Sequence, residues 1–313
     1  MRPPASGRRR LIQVKKPGAG LSDHLSMDAD KEAAMYRRIA LHLDQGYDCQ
    51  RRTTVALALA RRHKAEVLGI YASSAPPQYY YGESVLLSRA LDVMKQVLAE
   101  DRAAVQNGFL ASASAADVAA SVRSAESSPS ACMALYGRTA DLIVLSQENP
   151  RDTDAAHEIE FVEQTLLSAG RPVLVVPSSG TFTGVGERIV YCWDRSREAA
   201  RALADAMPLL KHAGEIVVLT MDEGESTTTR EPAIPFAELA TYFELHGVPE
   251  PRHVRRDIRG VGVGATILNT AADHSADLIV MGAYGHSKLR EWAMGGATAS
   301  VLKSMTVPVL FSH

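Results

Sequence analysis

The chain has 313 residues, 46% of them hydrophobic, and a formal net charge of −2. That length suits two cores at about 150 residues each, and the near-neutral balance excludes a global field for nucleic acid or a membrane surface, so an anionic ligand needs a local site. Cys49, Cys132 and Cys192 are odd in number and widely spaced, which argues against a disulfide framework or a zinc site; with no apolar run of about 18 residues and no signal peptide, the expected location is the cytoplasm.

Residues 1–34 are rich in Pro, Gly, Ser, Arg and Lys and lack apolar periodicity, the composition of a disordered basic tail. Met27 and Met35 precede the first strand-like run and are alternative translation starts. A first domain is expected over 35–178. It opens with the strand "RRIALHLD" ending at Asp44 and has a long helical stretch from Glu83 to about Ala111, where Leu86, Leu87, Leu91, Met94, Val97 and Leu98 recur at helical spacing. The runs "ADLIVLS" and "RPVLVVPS" close it as buried strands.

Residues 179–186, inside "PSSGTFTGVG", form a linker, because Pro, Gly, Ser and Thr between two apolar runs cannot bury enough surface to fold. A second domain is expected over 187–313. Its strands are "RIVYCW", "EIVVLTM", a polar candidate near Arg252 to Ile258, "DLIVMG" and "VPVLFS"; its helices begin near Arg197, Phe236, Ala265 and after Gly295.

The two domains are copies. "ADLIVLS" recurs as "ADLIVMG" and "RPVLVVPS" as "VPVLFSH", both at an offset of 136 residues, while Asp44 and Asp194 close similar first strands at an offset of 150. Apolar strands alternating with helices predict an α/β fold, a doubly wound five-stranded parallel sheet made twice.

The segment "MGAYGHSKLREWAMGGATASVL" carries the chemistry. Gly282 and Gly285 follow a buried strand, and Gly295 and Gly296 open the next helix. Ligands of open parallel sheets sit beyond the carboxyl ends of the strands. Glycines there let amides approach phosphate oxygens, and the helix start adds free N–H groups and the positive dipole end. His286, Ser287, Lys288 and Arg290 between them supply donors and positive charge.

Gly282, two residues, Gly285, nine residues, Gly295 resembles the ATP-binding signature of the universal stress protein family. The resemblance runs from about Tyr36 to the end, so the chain resembles a tandem member with the adenine nucleotide alpha hydrolase-like fold. It implies ATP, with Mg as the accompanying cation, held by Asp194, Thr220, Met281, Gly282, Gly285, His286, Ser287, Gly295, Gly296, Ala297 and Thr298. The family commonly has Ser or Thr directly after the last glycine; here Gly296 and Ala297 intervene before Thr298.

In the first copy, Gly282, Gly285, Gly295 and Gly296 map to Ser146, Asn149, Ile159 and Glu160, so side chains fill the cradle and that half is expected to bind no ATP. Its implied role is to pair with the second half through the last strands, as family subunits pair; a homodimer is a further arrangement that the resemblance allows. The function implied is stress response or signalling through nucleotide-dependent conformation or partner choice. Two alternatives stand beside it: a slow ATP-hydrolysing or adenylate-forming enzyme of the same superfamily, and an interaction module with no ligand. An SGGxDS-like turn, a catalytic triad and a GxxxxGK[ST] loop are all missing from the sequence, so binding is favoured over catalysis. "RGVGVGAT" reads as a mobile loop. His63, His157, His246 and His274 read as isolated surface or helix-end residues, and Trp193 and Trp292 as packing residues.

Overall fold

The computed structural model describes residues 35–73, 85–149, 161–222, 236–285 and 296–313. Near-continuous apolar runs fold as strands whose residues are buried on both faces: β4 (Leu142–Ser146), β5 (Val173–Val176), β9 (Leu278–Gly282) and β10 (Val309–Ser312). The remaining strands are β1 (Arg38–Leu43), β2 (Glu66–Ser73), β3 (Ala120–Glu126), β6 (Arg188–Cys192), β7 (Glu215–Asp222) and β8 (Arg252–Asp257). The polar strand β8 is mostly exposed, as its place at the sheet edge permits.

The ten strands of the described residues form one sheet, ordered β3-β2-β1-β4-β5-β10-β9-β6-β7-β8. The order is the same five-strand arrangement twice, placed end to end. Within each half every pairing is parallel; the halves join where β5 and β10 run antiparallel, with Leu310 opposite Leu174.

Eight helices among the described residues cover the sheet. One face carries α1 (Cys49–His63), α2 (Val85–Ala115), α5 (Arg197–Leu210) and α6 (Phe236–Leu245); the other carries α3 (Pro129–Gly137), α4 (Phe161–Ala169), α7 (Val263–Asp273) and α8 (Ala297–Ser304). Helix α5 shows why these segments fold as they do. Ser196 caps it, its hydroxyl accepting from Ala199 N at 3.0 Å. Ala199, Ala202, Leu203, Ala206, Met207 and Leu210 then lie along one buried stripe.

Each face of the sheet has a core that runs through both halves, Leu174 and Leu310 belonging to one and Val173 and Phe311 to the other. Long-range hydrogen bonds add to the seam: Tyr36 Oη donates to Asp205 O at 3.0 Å, and Gln147 Nε2 to Leu302 O at 2.7 Å.

Two sequence expectations are corrected. "RGVGVGAT" is not wholly a loop, because α7 starts at Val263 with Gly262 as its N-cap at φ 87°. The long helix extends to Ala115 rather than Ala111. His63 is a helix-end residue, and it is fully buried there. The tail 1–34, His157 and Trp292 lie outside the described residues. Among the described residues, no helix is long and apolar enough to cross a membrane.

Candidate functional site

In each half the strand order reverses beside the first strand: β2 and β3 continue to one side of β1 and β4 and β5 lie on the other, and β6 is placed likewise between β7 and β9. Such a switch point opens a crevice at the carboxyl ends of the strands. The crevice of the second half is bordered by Asp194 after β6, Thr220 near the end of β7, and Met281, Gly282 and Gly285 at and beyond the end of β9.

Asp194 is exposed, and its Oδ1 accepts from Ser196 N at 2.9 Å and from the Ser196 hydroxyl. It thereby holds the residue that caps α5. Thr220 Oγ1 lies 2.9 Å from His253 Nε2 on β8. Met281 is buried among the apolar residues of the sheet.

Gly282 meets the first turn of α5 so closely that a Cβ there would lie 2.6 Å from both Ala199 N and Glu198 C. Absence of a side chain at this position therefore serves the close approach of helix to strand. At Gly285 a Cβ would lie 3.3 Å from Glu198 Oε2. Glu198 is 8% exposed, and Arg197 Nη2 is 3.5 Å from its Oε1.

Gly296 is the N-cap of α8, with open space where a Cβ would be and no side-chain hydrogen bond capping the helix. Ala297 and Thr298 form the first turn, Thr298 being buried. His286, Ser287 and Gly295, with Lys288 and Arg290, lie outside the described residues.

The equivalent crevice of the first half is occupied by the protein's own charges. Arg52, whose side chain is 2% exposed, spans it: Nη2 lies 2.6 Å from Asp44 Oδ1, Nη1 donates to Ser146 Oγ at 3.0 Å, and Nε donates to His42 O at 2.7 Å. Asp48 pairs with Arg51 and accepts from Asn149 Nδ2 at 3.0 Å, while the His42 ring packs on Phe161 at 4.8 Å. The space left is about 30 Å³, room for roughly one water.

Burial disfavours the Asp44 carboxylate, but Arg52, then His42, together with a hydrogen bond from Gly46 N, outweigh it and hold its pKa below the ordinary range. The offset of 150 that relates Asp44 to Asp194 carries Arg52 to Ala202. Ala202 is fully buried and too short to span a crevice. Sequence reasoning missed Arg52, although it sits at helical spacing from Val55, Ala56, Leu59 and His63, all buried on α1.

Among the described residues, no group of three or more His, Cys, Asp or Glu could hold a metal ion. Fold and crevice thus define the class: a doubly wound α/β protein in two halves, the first of which has closed its own switch point with Arg52 and Asp44.

Residues 186–313 match the model of the Universal stress protein family. A segment of 44 residues is 43% identical to the universal stress protein Slr1230 of Synechocystis; it amounts to 14% of this chain and 15% of that protein. Among solved structures, a universal stress protein from Archaeoglobus fulgidus aligns over 88% of this chain and 95% of its own, with TM-score 0.64 and 17% identity. A functionally unknown protein from Pseudomonas aeruginosa PAO1 aligns over 91% and 94%, with TM-score 0.53 and 15% identity. The structural likenesses speak for the fold, and the family match speaks for the second half.

Proposed function

We propose that the second half binds ATP, accompanied by Mg, in the crevice between β6 and β9, and that the chain acts in the cytoplasm as a tandem universal stress protein. In this reading nucleotide occupancy biases conformation or partner choice in stress response or signalling. The first half is a degenerate copy that supports the second through the shared sheet.

What supports the reading is the place of Asp194, Thr220, Gly282 and Gly285 beside the strand-order reversal, in the half that matches the family model. The first turn of α8, without a side-chain cap and with open space at Gly296, fits a phosphate group, since backbone N–H groups and the dipole end favour an anion there. Thr298 and Thr220 offer hydroxyls, and Asp194 a carboxylate already oriented by Ser196. The bound nucleotide supplies a charged, exchangeable ligand whose differential affinity for two conformations does the signalling.

The test is to purify the full chain, identify any co-purified nucleotide, and titrate ATP into the wild type and Gly285→Glu. A Glu side chain at position 285 enters the crevice beside Glu198, so binding is expected to be lost with the melting temperature little changed. Equal affinity in the two proteins rejects the site.

A further inference from the structure

A second cavity lies away from both crevices. Residues 177–187 join β5 to β6, and between this connecting segment and α1 there is a space of about 150 Å³. Its walls are Val55, Ala58 and Leu59 from the helix and Phe182 and Val185 from the segment. An apolar cavity of about that volume accommodates a benzene ring.

One wall is charged. Arg62 lines the cavity, and its Nη2 donates to Val185 O at 2.7 Å. A guanidinium in the wall of an otherwise apolar space favours an acceptor brought to it, most of all an anionic one. Burial lowers the Arg62 pKa more than Asp277, Tyr36 and Glu187 raise it.

The geometry points to a binding site for a compact apolar carboxylate, its hydrocarbon part against Val55, Leu59 and Phe182 and its carboxylate on Arg62. The wall at Gly184, where a Cβ would meet nothing within 4 Å, and exposed Ala58 give such a molecule a way in. An amine of the same shape places like charge against Arg62 and is rejected; a neutral hydrocarbon fits the walls but brings the guanidinium no acceptor.

Benzoate, toluene and benzylamine are the probes, titrated into the full chain while backbone amide chemical shifts of Ala58, Gly184 and Val185 are followed. For a ligand of nine heavy atoms the expected dissociation constant is about millimolar or tighter. Benzoate should bind at least about tenfold more tightly than toluene, and benzylamine more weakly still. In Arg62→Gln the advantage of benzoate over toluene should vanish. In Ala58→Trp, where the new ring fills the cavity and Arg62 is untouched, neither should bind. Saturable binding of benzylamine as tight as that of benzoate overturns the proposal. So does unchanged benzoate binding in Ala58→Trp, or shifts with none of the three probes, the result expected of a cavity that holds water alone.

Discussion

Arg52 and Asp44 form an ion pair inside the first half, Nη2 to Oδ1 2.6 Å, with the arginine side chain 2% exposed. The pair closes the switch point of that half, whereas the position equivalent to Arg52 in the second half is the buried Ala202. Because each charge compensates the desolvation of the other, removing one partner alone leaves an uncompensated buried charge, at a cost of about 3–5 kcal/mol. Asp44→Asn should lower the urea midpoint accordingly, and Asp44→Leu combined with Arg52→Met should recover most of the loss. If the double variant is no more stable than Asp44→Asn, the pair is not the reason for the cost.

The two-fold repetition and the strands nearest the seam are legible in the sequence because a strand buried on both faces must be apolar throughout, and four such runs stand at fixed spacings. The edge strand β8, "RHVRRD", carries no such signal and was placed only by its position between two helices. The arginine at position 52 hid behind its type. Next to Arg51 it reads as part of a solvated basic pair, and only its helical spacing from Val55, Ala56 and Leu59 marks the buried face. Gly282 has a second requirement of its own. Its place in a ligand-binding spacing is visible, whereas the approach of Ala199 N to within 2.6 Å of its Cβ position is a tertiary fact.

That approach makes the same substitution act with opposite sign at two glycines. Gly282→Ala forces a Cβ against the backbone of α5, which cannot move without disturbing the cap at Ser196; destabilisation by about 1–3 kcal/mol is expected. Gly108→Ala, inside α2 with nothing within 4 Å of the new atom, should stabilise by about 0.5–1 kcal/mol through helix propensity. Paired urea melts decide it, and two shifts of the same sign would contradict one of the two packing environments, the sign saying which.

His63 makes stability depend on pH. It is fully buried at the end of α1, its ring 5.0 Å from Tyr36 and 5.8 Å from His212, and neither nitrogen has a hydrogen-bond partner. Burial first, then Arg62 and His212, push its pKa from 6.5 to about 3. The unfolded chain therefore takes up the proton more readily than the folded one. Stability from this group is fully present above about pH 6.5 and falls as pH drops toward 3, by about 1.4 kcal/mol per pH unit. At pH 5 the loss is about 2 kcal/mol. The difference between urea midpoints at pH 7.5 and 5.0 should shrink in His63→Leu, and an identical difference in both proteins would assign the acid sensitivity to other groups.

Glu198 sets the electrostatics of the proposed nucleotide site. Its Oε2 lies 3.3 Å from the Cβ position of Gly285, and its carboxylate, 8% exposed, has the exposed Arg197 3.5 Å away among the described residues. A triphosphate entering the crevice meets a fixed negative charge, and each unit of like charge at about 4 Å costs a few kcal/mol at most in a partly wet site. A divalent cation between carboxylate and phosphate reverses the sign of that term, so affinity for ATP should rise strongly with Mg in the wild type. Glu198→Gln keeps the shape and removes the charge. It should bind ATP more tightly than the wild type in the presence of EDTA, by about tenfold for each 1.4 kcal/mol of relieved repulsion, and should gain less from added Mg. Calorimetric titration of both proteins with and without Mg measures the difference directly, and equal Mg dependence would place the phosphates away from Glu198 and Gly285.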